Sequence, residues 1–298
     1  MKTSRSIRLQ TAAIFLTAGL ATAACGRGSD GGTQGVEQAS TFVHIHGLAV
    51  TPSDPDRLLV ATHRGLIQGT KDANWTYMSA DRTDHMGFTL DPGTGTLFRS
   101  GHPEAGGSLG VETSQEGRNW RKLSDVLSPP VDFHAMALSY AEPKTMYGWD
   151  SGGRGLFRST DGGGRWEVLS PQGLPAQIFA LAAPGEAGAV LAGTREGLFR
   201  SDDAGATWRR IAEGPVSAVA ADPKDPKHLL AFVGQGVQIS RDGGASWDKA
   251  SAGLPVGDFV GALTISPQND EVAYAAGATS IFKTTDGGKS WRLTRSGE

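Results

Sequence analysis

Short apolar segments bounded by turn residues recur along the chain from about residue 41 to its end. In the region 173–213 they cover residues 178–182, 188–193, 197–201 and 208–211, and the residues between them are rich in Gly, Asp, Ser and Pro. Apolar runs of this length between turn residues are typical of β-strands. After residue 40 no stretch shows the period of an amphipathic helix. The pattern therefore predicts an all-β protein.

One motif, Ser/Thr-x-Asp-x-Gly-x-Ser/Thr-Trp, follows the third strand of each predicted group. It is clearest at 159–166, 201–208, 240–247 and 284–291. Weaker copies lie at 113–120, where Gln115 replaces the Asp, and at 69–75, which is shorter. The Trp residues that end the copies are spaced by 39 to 46 residues. A period of this size indicates a repeat architecture in which each repeat is one supersecondary unit.

The motif resembles the Asp-box (BNR) repeat of sialidases, sortilin-type receptors and photosystem II assembly factors. The resemblance implies that each copy is the hairpin turn between the third and fourth strands of a propeller blade. The motif residues then form the scaffold, because a feature of every blade cannot mark one unique site. These scaffold residues are Asp161, Asp203, Asp242, Asp286, Trp120, Trp166, Trp208, Trp247 and Trp291.

Six such units fill the chain, so we expect a closed six-bladed β-propeller of four-stranded antiparallel blades, since radial closure protects the sheet edges. The expected blades are residues 41–80, 81–128, 129–172, 173–213, 214–255 and 256–298.

The N-terminus reads as an export signal. Residues 1–24 combine a basic start with a short apolar run, and the sequence Thr22-Ala23-Ala24-Cys25 is similar to a bacterial lipobox. The resemblance implies that Cys25, the single cysteine, carries a lipid, and residues 25–40 read as a flexible Gly- and Ser-rich tether. We therefore expect a cell-envelope protein anchored on the outer face of the cytoplasmic membrane. If Cys25 is not lipidated, the protein is secreted.

The net charge of the chain limits the classes of binding partner that we expect. The net charge is −3 and no basic patch with interleaved aromatic residues is present, so nucleic acid is not an expected partner. A protein client, a small ligand or a glycan stays open as a partner, and we expect a monomer.

Histidine distinguishes the first three repeats from the others. Six of the seven histidines fall there, and only His228 lies elsewhere, in a turn that reads as surface. Aligned first strands place His46 level with Met86 and His134, and His44 level with Asp84 and Asp132. The propeller fold predicts that the six histidines gather on one face, around the mouth of the channel. They are His44, His46, His63, His85, His102 and His134.

Imidazole is the commonest metal ligand in proteins, so the sequence predicts a ligand or transition-metal site on this face. His46, His85 and His134 are the first choices as ligands, followed by His44, His63 and His102. Two or three histidines suit Zn²⁺ or Cu²⁺, and the Met86 thioether favours copper in its reduced form. No cofactor is fixed by the sequence beyond this possible metal.

Two other functions stay open. A glycoside hydrolase could use Asp84 and Asp132 as its carboxylate pair. The sialidase mechanism is not expected, because the region 41–46 lacks the arginine motif that the sialidase resemblance implies and no tyrosine has an evident nucleophilic role. Alternatively, the propeller is an assembly factor that holds a protein client and has no small-molecule site. The sequence favours a binding module over an enzyme.

Overall fold

The computed structural model describes residues 37–70, 74–255 and 259–296. These residues form twenty-four strands in six four-stranded antiparallel sheets, which are the blades of a six-bladed β-propeller. The predicted all-β fold class is confirmed. The predicted signal segment and Cys25 lie outside the described residues, so the lipid anchor stays a prediction. Within the described ranges, no helix combines the length and apolar character needed to cross a membrane.

Each blade uses four strands that follow one another along the chain, and each strand pairs with the next. The strands of blades 1 to 3 are β1 (Ile45–Val50), β2 (Leu58–Thr62), β3 (Gly65–Gly69), β4 (Trp75–Tyr77), β5 (Asp84–Leu90), β6 (Leu97–His102), β7 (Val111–Ser114), β8 (Arg121–Ser124), β9 (Phe133–Leu138), β10 (Met146–Asp150), β11 (Gly155–Ser159) and β12 (Glu167–Val168). The strands of blades 4 to 6 are β13 (Ile178–Ala182), β14 (Val190–Thr194), β15 (Gly197–Ser201), β16 (Arg209–Glu213), β17 (Val216–Ala221), β18 (Leu229–Val233), β19 (Gly236–Ser240), β20 (Asp248–Lys249), β21 (Ala262–Ile265), β22 (Ala273–Ala276), β23 (Ile281–Thr284) and β24 (Arg292–Arg295).

The first strands of the blades surround a central channel. Each contacts the first strands of both neighbouring blades, and β21 contacts β1 to complete the circle. Small residues such as Ala218, Ala220 and Ala262 are common on these strands, because the blades converge toward the axis. Apolar side chains fill the space between blades, as where Phe232 of blade 5 and Leu263 of blade 6 share one buried cluster.

Among the described strands of blades 6 and 1, each pairs within its own blade, so the ring closes through side chains and through the Ile45 N–H, which donates to the Ala278 carbonyl at 3.0 Å. The Tyr274 hydroxyl donates to the Pro55 carbonyl at 3.1 Å. The Gln268 amide donates to the Thr51 carbonyl at 2.8 Å. These bonds join the two ends of the chain across the last junction of the ring.

The segment before β1 packs against blade 1, although residues 37–40 were expected to belong to a flexible tether. Gln38 forms a bridge with Thr76 of β4, and the Ala39 N–H donates to the Trp75 carbonyl at 2.9 Å. The Phe42 ring meets the Trp75 ring edge-on, with centroids 5.2 Å apart. Ala39 and Phe42 are buried, so this segment gains apolar contact that a Gly- and Ser-rich tether lacks.

The repeated motif forms the turn before the fourth strand. In blade 4 the Ser201 hydroxyl accepts from the Gly205 N–H at 2.9 Å and donates to Asp203 at 2.8 Å. Thr207 donates both its N–H and its hydroxyl to Asp203, and these bonds lower the pKa of Asp203 to about 2. Trp208 Nε1 donates to the Gly205 carbonyl at 3.0 Å. The carboxylate is therefore fully engaged within its own turn.

Candidate functional site

A β-bulge interrupts the first strand of blades 1 to 5 at the same place near one mouth of the channel. A bulge inserts one extra residue and redirects its side chain. The extra residues, together with the aligned residue of blade 6, all line the cavity at this mouth. They are His46, Met86, His134, Phe179, Ser217 and Gly261.

The junction of blades 1 and 2 brings together His46, His63 and Asp84, which we call the blade 1–2 cluster. His63 follows β2, and its Nδ1 lies 2.6 Å from Asp84 Oδ2. His46 Nε2 lies 3.6 Å from the other oxygen, Asp84 Oδ1. The rings of His46 and His63 meet edge-on with centroids 4.4 Å apart. One donor atom from each residue lies within 4.8 Å of the other two.

Two polar atoms of this cluster are buried without a hydrogen-bond partner, namely His46 Nε2 and Asp84 Oδ1. An unpaired buried polar atom costs about 1–3 kcal/mol, so such atoms are rare without a reason. A tetrahedral ion with bonds of about 2.0–2.2 Å holds neighbouring donor atoms roughly 3.4 Å apart. The observed separation of 3.6 Å is close to that value. The two atoms are therefore spaced as ligands of one ion.

The junction of blades 2 and 3 holds a second group, the blade 2–3 cluster of His102, Asp132 and His134. His134 Nε2 lies 2.6 Å from Asp132 Oδ2, and His102 Nε2 lies 3.1 Å from the same oxygen. Asp132 Oδ1 is buried and has no partner. The carboxylate thus faces two imidazoles and still has an unused oxygen.

Both ring nitrogens of His102 face oxygen atoms that accept hydrogen bonds. Its Nδ1 lies 2.9 Å from the Gly107 carbonyl oxygen, which only accepts, so Nδ1 carries a hydrogen. In a neutral ring Nε2 is then unprotonated, yet it faces a carboxylate oxygen of Asp132. Two acceptors at this distance repel unless a proton or a metal cation lies between them. The arrangement fits a bound proton or a bound metal ion.

The two clusters repeat the same arrangement one blade apart. In each, a histidine at the end of the second strand meets an aspartate at the start of the first strand of the next blade: His63 with Asp84, and His102 with Asp132. The register of blade 2 places Asp84 opposite His102, so one strand pair connects the clusters. Met86 extends into the cavity between them and lines it together with His46 and His134.

Burial lowers the pKa of His46 to about 4, and the nearby imidazoles of His63, His44 and His134 add to this shift, while Asp84 opposes it. A lowered pKa means that the His46 ring is neutral at physiological pH. A neutral imidazole keeps a nitrogen lone pair available for a metal.

Two of the six predicted histidines occupy other positions. His44 lies beside the blade 1–2 cluster, with its ring centroid 5.0 Å from that of His63, but it belongs to neither ligand group. His85, a first choice as ligand, is only 1% exposed and faces away from the cavity residues. Its Nε2 lies 3.1 Å from the Arg99 guanidinium, and its ring packs against Trp120. We therefore exclude His85 from the candidate site.

The seventh histidine differs from expectation. His228 is fully buried rather than on the surface, and its Nδ1 lies 3.2 Å from Asp222 Oδ2. Asp222 also accepts the N–H groups of Lys224 and Asp225, so the pair organises the turn between β17 and β18. A short turn sequence gives no signal for this burial, because it depends on how neighbouring blades cover the turn.

The cavity above the clusters has a volume of about 1090 Å³. Over blades 1 to 3 its inner wall carries His46, Met86 and His134, whereas its remaining wall is largely apolar. The apolar wall was not anticipated from the sequence, because its residues come from strands and loops of several blades and meet only in the closed ring. Its larger apolar members are Trp149, Leu174, Phe179, Phe232 and Phe259.

Comparisons with known proteins support the fold and no closer relationship. No protein-family model matches the chain. A curated protein, a probable oligoxyloglucan-reducing end-specific xyloglucanase from Neosartorya fischeri, is 35% identical over 83 residues, which are 26% of this chain and 10% of that protein. The match is too short to assign the chain to that protein's family.

Solved structures that superimpose on this chain include two GH74 enzymes and YCF48. The GH74 enzyme of Niastella koreensis superimposes with a TM-score of 0.59 at 14% identity, over 88% of this chain and 56% of that chain. The GH74 xyloglucanase of Xanthomonas campestris gives 0.56 at 18% identity, over 87% and 46%. YCF48 from Cyanidioschyzon merolae gives 0.50 at 17% identity, over 86% and 88%. This chain spans about half the length of the two GH74 enzymes, and at these identities the likeness shows the fold alone.

Proposed function

We propose that this protein is an extracytoplasmic binding module that holds transition-metal ions, Zn²⁺ or copper, at the His-rich mouth of its propeller. One observation carries the proposal: His46 Nε2 and Asp84 Oδ1 are buried, unpartnered and spaced as ligands of one ion. His63 completes the donor set of this cluster. A cation there satisfies both atoms at once, whereas the metal-free cluster leaves both unpaired.

The blade 2–3 cluster supports a second ion. His102 Nε2 and Asp132 Oδ2 face each other as acceptors, and a cation between them removes their repulsion without requiring a charged imidazole. His134 supplies a further nitrogen beside the same carboxylate. Two histidines and a carboxylate suit Zn²⁺ or Cu²⁺, and the Met86 thioether between the clusters favours copper in its reduced form.

The N-terminal sequence supports the proposal that this function belongs to the cell envelope. We propose that Cys25 is lipidated and that the propeller is held on the outer face of the cytoplasmic membrane as a monomer. The hydrogen-bonded turns around Asp203, Asp242 and Asp286 support membership in the Asp-box class. Membrane fractionation of the wild-type protein and of Cys25→Ser tests the anchor, and a substitution that leaves the protein in the membrane fraction contradicts it.

Metal analysis of the full mature chain tests the proposed ion sites. After loading with Zn²⁺ or Cu²⁺ and removal of free metal, we expect two ions per chain. Asp84→Asn and Asp132→Asn should each lose one ion. Asp91→Asn is the matched control, because Asp91 lies at the other end of β5 and is bonded within its own turn. A content near zero, or one that neither site substitution changes, contradicts the proposal.

A glycoside hydrolase is the second candidate, and the likeness to GH74 enzymes favours keeping it. Asp84 and Asp132 are the only carboxylates of the two clusters, but each one faces two imidazoles. Assay with xyloglucan oligosaccharides and a panel of fluorogenic glycosides tests this function. Release of sugar that is lost in both Asp84→Asn and Asp132→Asn supports it, and silence across the panel rejects it.

Assembly of a protein client is the third candidate, on the resemblance of the repeated motif to the Asp-box repeats of photosystem II assembly factors. The exposed apolar residues Val168, Phe179 and Phe259 give this mouth a surface that a client could contact. Crosslinking in intact cells, with a photoreactive residue in place of Val168, tests it. A discrete crosslinked protein supports a client, and the absence of any crosslink rejects one at this surface.

A further inference from the structure

We infer that the cavity beside the two clusters binds a small organic ligand with an aromatic or branched apolar body and a nitrogen or oxygen donor at one end. The inference deepens the proposed function and rests on it for the donor end, which would reach an ion held by the clusters. The apolar body is argued from the cavity alone. The apolar body and the donor end of the ligand are therefore tested separately.

The cavity wall changes chemistry halfway around the ring. The bulge residues of blades 1 to 3 are His46, Met86 and His134, whereas blades 4 to 6 present Phe179, Ser217 and Gly261. These six residues occupy equivalent positions, so one ring of side chains is nitrogen- and sulfur-bearing on one half and apolar or small on the other. A ligand that fills this mouth meets donors on one side and apolar surface on the other.

Small residues in blades 5 and 6 leave room in the cavity for a ligand, and aromatic side chains form part of its wall. Ser217 and Gly261 remove side-chain volume from the ring in blades 5 and 6. Phe232 of blade 5 and Trp149 of blade 3 line the same cavity. Phe179 and Phe259 also line the cavity, and they are 41% and 63% exposed. Ligand pockets combine an apolar lining with a few placed polar groups in this way.

The volume and the charge pattern select the class of ligand. A cavity of about 1090 Å³ is at the upper end of the range that holds drug-sized molecules. The guanidinium of Arg154, the cationic group on this wall, is already bonded to Asp150 and to the Pro129 and Pro130 carbonyls. No free cation of the described lining is therefore offered to an anionic group, so we expect the ligand to reach the clusters through a neutral donor.

Titration calorimetry with two probes of equal donor chemistry tests the inference. 1-Phenylimidazole and 1-methylimidazole present the same nitrogen, and they differ in a phenyl ring against a methyl group. We expect the metal-loaded protein to bind the phenyl compound at least about tenfold more tightly, as when roughly half of a phenyl ring leaves water. The variants Phe179→Ala and Phe259→Ala should reduce this preference to about threefold or less. Both side chains are partly exposed, so their truncation spares the core.

The possible results distinguish a failure of the apolar ligand site from a failure of the proposed metal sites. A phenyl preference that persists in metal-free protein and falls in Phe179→Ala supports the apolar site, even where metal analysis has rejected the ions. A loss of affinity for both probes that Asp84→Asn or Asp132→Asn causes only in metal-loaded protein supports the donor end. Equal affinity for both probes in metal-loaded protein overturns the inference, and the metal content of the same sample shows whether the proposed function survives.

Discussion

The substitution Asp84→Asn should separate the stability of the metal-free protein from its ability to bind metal. In the metal-free protein the carboxylate accepts from His63 at 2.6 Å, while its other oxygen faces the unpartnered His46 Nε2. A carboxamide keeps an oxygen for His63 and offers an N–H to His46. Satisfying one buried nitrogen contributes about 1 kcal/mol. We therefore expect metal-free Asp84→Asn to unfold at the same or a slightly higher denaturant concentration than the wild type.

Bound metal should make the wild type more stable than Asp84→Asn. An ion at one hundred times its dissociation constant stabilises the folded state by about 2.7 kcal/mol. For a domain of this size that corresponds to a rise in melting temperature of roughly 5–10 °C. The amide of Asp84→Asn is a poor metal ligand, so the rise caused by the blade 1–2 site should disappear. Denaturant unfolding and thermal melting, each with and without metal, measure both effects.

The control and the refuting result follow from where each carboxylate is bonded. Asp91 accepts from the Gly93 N–H and the Thr94 hydroxyl, so Asp91→Asn should lower stability by about 1 kcal/mol and leave the response to metal unchanged. If Asp84→Asn instead loses stability without metal and keeps the full thermal response to metal, Asp84 is an ordinary hydrogen-bond partner. The argument from unpaired atoms is then wrong.

Three further predictions concern the scaffold. Gly101→Ala should lose both stability and metal, as measured by melting and metal content, because a Cβ there would overlap the Asp84 carbonyl and φ is +144°. Trp291→Phe should cost about 1–3 kcal/mol in denaturant unfolding, since the buried Nε1 donates to two carbonyls at 2.9 Å. Hydrogen bonds, chiefly from the Ser246 hydroxyl, lower the pKa of Asp242 to about 2 from 3.8. Its contribution is therefore complete above about pH 4 and lost as the pH falls toward 2, and Asp242→Asn should flatten this part of the stability profile.

The local signals in the sequence were strong enough to predict the fold. Each repeat carries its own turn, in which Asp, Gly and a hydroxyl residue satisfy one another, and its own Trp to cover the hairpin. A propeller repeats this unit, so a reading of one blade applies to the others. The same alignment places Asp84 level with Asp132, and His46 level with His134.

Tertiary structure alone decided which of these residues meet. The number of histidines and their positions on the strands could not show that the histidines at the mouth of the channel divide into two clusters. Each cluster forms where two blades pack together. The bulge at residue 46 and its equivalents is likewise invisible in the strand alternation, yet it turns these side chains into the cavity. His85 shows the opposite case, because one step along the strand places its ring against Arg99 in the interior. The sequence by itself determined the repeated unit, which depends on neighbouring residues. The site depends on contacts between residues far apart in the chain, which exist only once the ring has closed.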